Sequence, residues 1–302
     1  MLSVLIPIFN RDVNPLVTAL SHQLAQTGMP YEIILADDCS DDIECRDMNA
    51  KLAILDSVQY IQNQQNMGRS KTRNLLARKA QYPYLLFIDC DAGVKNQDYI
   101  KKYIDAIEKM RPQQEFVING GIAYHNETPD NEHFLRWYYG KHREEESAER
   151  RNKRPYHRFT PFNVVISKKV FDSIQFDEEL TTYGHEDTLF GFQLQQKQIT
   201  YLHIDNPLYH EGLDNNEEYL EKIRLSIDNL IYISENQNDN NHFLKENRLL
   251  RTYQQCQKMG LAKAAGQFYK RKAKKMQQQL SCKPCMALID LYKLSYLASK
   301  KL

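Results

Sequence analysis

Four short apolar runs, at 3–7, 32–36, 58–61 and 84–88, each end in a cluster of polar residues. Runs of this length, rich in Val, Ile and Leu, suit buried strands. Segments with helical spacing fall between and after them, at 16–26, 41–55, 68–80 and 98–110, the last closed by Pro112. Strands alternating with helices predict an α/β fold, a mostly parallel sheet covered on both faces. Ligands of such sheets bind beyond the carboxyl ends of the strands. The strand-end residues are therefore the ones that carry chemistry. They are Phe9, Asn10 and Arg11; then Asp37, Asp38, Cys39 and Ser40; then the stretch 66–74, NMGRSKTRN; then Asp89, Cys90 and Asp91.

Asp89 and Asp91 are two residues apart at a strand end, so their carboxylates share a face. Hard divalent cations take oxygen ligands and often bridge to a diphosphate, which suits Mg²⁺ or Mn²⁺ here. A capped strand end followed by a turn gives the same three letters. The surrounding strand–helix pattern favours the metal reading.

Taken in order, SVLIPIFN (3–10), EIILADDCSD (32–41), NMGRSKTRN (66–74) and FIDCD (87–91) resemble the family 2 glycosyltransferases of the inverting, GT-A type over residues 1–120. The resemblance implies a Rossmann-like, nucleotide-sugar-binding sheet at 1–120 and an acceptor-binding half at 121–216. It also implies roles. Pro7, Phe9 and Asn10 would line the nucleotide pocket. Asp38 would accept from the uracil N3–H of a UDP-sugar. Asn66, Gly68, Arg69 and Arg73 would frame the nucleotide and diphosphate. Asp89 would contact ribose or donor sugar, and Asp91 would hold the Mn²⁺ or Mg²⁺.

The second half contains GHEDTLFG at 184–191. It resembles a signature of chondroitin-polymerase-like and galactosyltransferase-like enzymes. An inverting transfer needs one base to take the acceptor hydroxyl proton. Asp187 matches that base, and Glu186 its neighbour on the sugar hydroxyls; an N-capping role for Asp187 is compatible with this. His210 follows the strand 199–204 where related enzymes place a metal-binding histidine, and an imidazole completes an Mn²⁺ shell well. His185 sits where the family has other residues. Asn163, on a strand at 162–166 ahead of a short helix at 168–173, is expected to touch donor or acceptor sugar. Trp137, with Tyr138, is either a stacking platform for an acceptor sugar or core. The charged stretch 132–154 reads as a solvated helix or mobile loop.

From residue 217 onward the pattern is helical and beyond the catalytic part, which gives a domain division of 1–216 and 217–302. Residues 241–302 hold 14 Lys and Arg against two acidic residues, so the rest carries a net negative charge within a total of +1. A basic, partly amphipathic tail fits an anionic membrane surface. It equally fits a packing or homodimer element with a solvated basic face. The acidic body argues against nucleic acid. There is no run of about eighteen apolar residues and no basic leader ahead of the first strand, which predicts a cytoplasmic protein, peripheral on the inner membrane face if the tail binds lipid. Cys282 and Cys285 form a C-x-x-C without a second pair, and read as unpaired thiols of a reducing compartment. The expected activity is transfer from a nucleotide-sugar to a glycan or lipid-linked acceptor. A nucleotidyltransferase is disfavoured because no Gly-rich loop lies between Ile6 and Leu16, and a non-catalytic sugar- or lipid-binding scaffold because Asp91, Asp187 and His210 are all present.

Overall fold

A computed structural model describes residues 1–236 and 240–301. The chain runs β1 (Leu2–Ile8), α1 (Asn14–Ala25), β2 (Tyr31–Asp37), α2 (Ile43–Ala50), β3 (Val58–Gln62), α3 (Arg69–Lys79), β4 (Tyr84–Ile88), β5 (Ala92–Gly93), α4 (Tyr99–Met110), β6 (Phe116–Asn119) and β7 (Ile122–Ala123). It continues through α5 (Phe134–Arg143), α6 (Ala148–Asn152), β8 (Asn163–Ser167), α7 (Lys168–Ser173), α8 (Glu186–Gln196), β9 (Thr200–His203) and β10 (Leu208–His210). The remainder is helical: α9 (Asn216–Asn236), α10 (Asn240–Glu246), α11 (Arg248–Lys258), α12 (Ala262–Cys282) and α13 (Met286–Lys300).

Two compact units result. The first comprises 1–124, 145–181 and 186–212; the second comprises 125–144, 182–185 and 213–302. The first unit is built on a seven-stranded sheet ordered β3-β2-β1-β4-β8-β6-β9. Strands β1 to β4 are parallel, as the alternating pattern requires. β8 runs antiparallel to both β4 and β6, so the sheet is mixed at this point. The sequence pattern did not reveal β6, because its three apolar residues, Phe116 to Ile118, directly follow a polar turn and lack flanking signals.

Alternation in β1 explains the two cores. Val4, Ile6 and Ile8 face Leu16, Val17 and Leu20 of α1 and Tyr99 and Tyr103 of α4. Leu5 faces the opposite way, with Phe87, Leu76 of α3 and Phe190 of α8. Burial on both faces is why these strands read as continuous apolar runs.

A second sheet of three short strands, ordered β5-β10-β7, stands at the carboxyl end of β4. Asn163 is its anchor, and this corrects the expectation that it touches sugar. The side chain is fully buried. Its Oδ1 accepts from the Tyr99 and Tyr103 hydroxyls at 2.7 Å, and its Nδ2 donates to the carbonyls of Gly121 and Asn206 at 2.9 Å. No hydrogen-bonding capacity remains for a ligand.

The stretch 132–154 is also not one solvated element. It holds α5 and α6, each with a buried arginine. In the first unit Arg151 donates to the carbonyls of Asn119, Gly120 and Ile204 and to His203 Nδ1 at 2.7 Å. Burial pushes His203 down to about 4, ahead of the opposing Pro155 hydrogen bond, so it is neutral and accepts from the guanidinium. In the second unit Arg136 pairs with Glu144 at 3.0 Å and lies over the Tyr219 ring. There too, Asn229 of α9 holds the backbone of the turn before α8, donating to the carbonyls of Thr182 and Gly184 at 3.2 and 2.9 Å.

Candidate active site

The strand-end residues do converge. Asn10 adopts φ 49° and pins the first loop to the second: its Oδ1 accepts from the amides of Asp41 and Asp42, and its Nδ2 donates to Asp41. Pro7 is half-buried at the end of β1, and Phe9 stays 46% exposed. Asp38 is buried and organises the third loop. Its Oδ1 accepts from Asn63 Nδ2 and the Met67 amide, both at 2.9 Å, and its Oδ2 from the Gly68 amide at 2.8 Å. A carboxylate has about four acceptor positions, so one remains.

Gly68, with φ 84° and ψ 166°, begins α3 in a conformation that only glycine adopts readily. Asn66 and Arg69 flank it and are exposed. The helix start therefore presents amide groups and a cation to one side, an arrangement suited to anions.

One turn further on, Arg73 is buried beneath this surface. Its Nη2 donates to Asp89 Oδ1 at 2.8 Å and its Nη1 to Glu186 Oε1 at 3.2 Å. The diphosphate contact expected of Arg73 gives way to this pairing, because the guanidinium fork is committed to two carboxylates. Burial opposes the ionised form of Asp89, but the Arg73 charge and hydrogen bond outweigh it and hold the carboxyl below its usual range.

Asp187 adjoins the cluster at the first turn of α8. Burial, then the negative charge of Glu186, raise its carboxyl to about 7 against the hydrogen bonds from Thr188. That is the range in which a carboxylate takes protons well at neutral pH. The GHED turn delivers these residues sharply. Gly184 and His185 both have positive φ, 96° and 67°. The final glycine of the motif has a packing reason: a Cβ on Gly191 would lie 2.5 Å from the Tyr156 carbonyl oxygen.

The second sheet brings His210 to Asp91. β10 pairs antiparallel with β5, His210 opposite Ala92, the residue after Asp91. The Glu211 amide donates to the Asp91 carbonyl at 2.8 Å. The imidazole stacks between Tyr124 and Phe162, at 5.5 and 5.3 Å between ring centroids. Its Nε2 then lies 3.7 Å from Asp91 Oδ2. Two metal bonds of about 2.1 Å each can bridge that separation. An oxygen and a nitrogen donor suit Mn²⁺ or Mg²⁺ with other oxygen ligands. Among the described residues, no group of three His, Cys, Asp or Glu side chains gathers at one point.

The sequence reading missed Gly212. A Cβ there would sit 2.5 Å from Asp91 Oδ2 and 2.7 Å from its Cβ. Small size at this position lets Asp91 hold its rotamer; the only signal was a glycine two residues after the histidine. Gly212→Ala is expected to displace the Asp91 carboxylate and weaken Mn²⁺ binding by about tenfold or more, the scale of a lost supporting contact. Calorimetric titration with Mn²⁺ in the presence of UDP checks this, and a folded variant with unchanged affinity rejects it.

Trp137 lies in the second unit. Its indole N–H donates to the His125 carbonyl at 2.9 Å and its ring stacks on Phe134 at 5.5 Å, leaving the ring partly exposed.

The mixed sheet, with Asp89 and Asp91 after β4 and Glu186 and Asp187 at the start of α8, is a GT-A-like arrangement. The model of Glycosyl transferase family 2 matches residues 3–175, and the chain belongs to that family. Chondroitin synthase of Escherichia coli is 26% identical over 242 residues, 70% of this chain; the chain spans 34% of that synthase's length. Among solved structures, S. aureus TarS 1-349 in complex with UDP aligns over 99% of this chain and 91% of its own, with a TM-score of 0.52 and 18% identity. The mannosyltransferase PcManGT of Pyrobaculum calidifontis, in complex with GDP-Man and Mn²⁺, covers 99% and 86% with a TM-score of 0.60 and 12% identity. At those identities the structural likeness concerns the fold. No helix among the described residues is long and apolar enough to cross a membrane.

Proposed function

We propose that the chain is an inverting, metal-dependent glycosyltransferase that moves a hexosyl or N-acetylhexosaminyl group from a UDP-sugar to a glycan or lipid-linked acceptor in bacterial surface polysaccharide synthesis. The observation that carries this is the Asp89–Arg73–Glu186 cluster, which links the donor-side strand end to the turn bearing Asp187. The remaining acceptor position of Asp38 suits the uracil N3–H. The exposed Phe9 ring, with Pro7 and Asn10, suits the base and ribose. Asn66, Gly68 and Arg69 suit the diphosphate, and Asp89 a ribose or sugar hydroxyl. Glu186, with one oxygen on Arg73, keeps the other for an acceptor hydroxyl, and the Trp137 ring suits a sugar face.

In the proposed step Asp187 removes the proton of an acceptor hydroxyl. That oxygen forms a bond to the anomeric carbon from the face opposite the leaving group, and the nucleoside diphosphate departs with the bonding electron pair. Asp91 and His210 would hold a divalent ion, whose charge would offset that developing on the leaving group. Transfer and slow hydrolysis of UDP-sugars with Mn²⁺ test this reading. A chelator and Asp91→Ala are each expected to lower the rate at least about a hundredfold, several kcal/mol of leaving-group stabilisation. Undiminished turnover in both would remove the metal from the reaction.

A further inference from the structure

The second unit carries a surface that the proposed chemistry does not use. Between Asn247 and Ile289 there is no acidic residue, while ten lysines and arginines occur. Most of them lie on α12 or at its start. Lys263, Lys270, Arg271, Lys272, Lys274 and Lys275 are all exposed, and among the described residues none of the six has an ion-pair partner. The opposite face of α12 is committed to the unit's own core through Gly266, Met276 and Leu280.

Apolar side chains share the exposed face. The turn from α11 to α12 is Met259-Gly260-Leu261, with Gly260 at φ 72° and open space around it. Met259 is 63% exposed and Leu261 51%. Lys258 and Lys263 flank the turn. Leu261, Ala264, Phe268, Arg271 and Lys275 then follow at three- and four-residue steps, which places them on one stripe of the helix. Phe268 is 39% exposed in the middle of that stripe.

A solvated helix face explains the cations but not three large apolar side chains held out among them. Two aliphatic groups at a turn tip, an aromatic two turns on and a fringe of unpaired cations match the interface of an anionic bilayer. There the apolar groups enter the acyl boundary and the cations meet phosphate headgroups. Nucleic acid would meet the same charge and a base can stack on Phe268, but it has no use for the exposed aliphatic Met259 and Leu261 at the turn tip.

We propose that the Met259–Leu261 turn and the exposed stripe of α12 form a peripheral membrane-docking surface selective for anionic lipid. The proposal is independent of the transfer chemistry. Each basic side chain near an anionic surface contributes about fivefold to partitioning, equivalent to about 1 kcal/mol.

Co-sedimentation of the full chain with phosphatidylcholine vesicles, with and without phosphatidylglycerol, tests it. Binding is expected only with phosphatidylglycerol and is expected to fall as salt rises. Lys270→Gln/Arg271→Gln/Lys274→Gln should weaken it by about a hundredfold. Leu261→Ser/Phe268→Ser should weaken it while leaving the salt dependence unchanged. These positions are exposed, so circular dichroism melts of both variants should match wild type. Equal binding to neutral vesicles, indifference to the apolar variant, or binding to single-stranded DNA but not to vesicles would each overturn the proposal.

Discussion

Asp187→Asn is expected to reduce transfer by about 10²- to 10⁴-fold, the range of a lost general base, while raising thermal stability. The two effects share a cause. In the wild type, burial and the Glu186 charge lift the carboxyl from 3.8 to about 7. Between those values the folded protein holds a proton that the unfolded chain has released, so wild-type stability falls as pH rises from 3.8 to about 7. Below that window both states are protonated and the group contributes no difference; above it both are ionised and the deficit is constant. Asparagine has no charge to bury. The melting-temperature gain of the variant should therefore open across this window and level off above it. Wild-type activity should rise through the same range, because the base must be ionised. An inactive variant whose melting-temperature difference from wild type is the same at pH 5 and pH 8 would refute the burial argument, and an active variant would refute the base.

The second large effect is expected at Arg73. Its fork lies between Asp89 and Glu186 with 3% of the side chain exposed. Arg73→Ala leaves two carboxylates facing each other without their cation, and breaking a buried pair in this way costs about 3–5 kcal/mol. Denaturant titration should show that loss. Lowering the pH should restore part of it as the carboxylates protonate. Arg73→Lys keeps the charge but cannot bridge both acids with a planar fork, so it should fall between the two. Adding Glu186→Gln to Arg73→Ala should recover stability that either change alone would not predict, because the residues interact directly. Additive losses in that double variant would show that the pair does not act as a unit.

The parallel half of the sheet was legible because β1, β2 and β4 are buried on both faces and β1, β2 and β3 are each followed directly by a helix of ordinary length. The positions of Asp38, Asp89 and Asp91 after strands, and of Gly68 and Asp187 at helix starts, could be read for a related reason: they follow from where the strands and helices begin and end. What the sequence did not disclose depends on distant pairing. Asn163 looked like a sugar contact because an amide at a strand start is polar in any environment; its four partners come from α4, the β6–β7 turn and the segment after β9. Arg73 read as a residue framing the nucleotide and diphosphate because its partner Glu186 is 113 residues away. Arg136 and Arg151 sat in a run so charged that burial was not suspected. Two- and three-residue strands such as β5, β7 and β10 have no periodicity to detect, yet their register sets His210 against Asp91.

The antiparallel strand β8 has a consequence for synthesis on the ribosome. β4 and β6 are not neighbours; each pairs with β8, which begins about 40 residues after β6 ends. At about 5–20 residues per second, several seconds pass in which β4 shows the nascent chain an open apolar edge and β6 has nothing to pair with. The first four strands must therefore stand as a half-sheet with a sticky border until β8 emerges and closes it. Slow codons or a stalled ribosome within 120–162 would prolong that exposure, and this interval is where the growing chain most needs a chaperone.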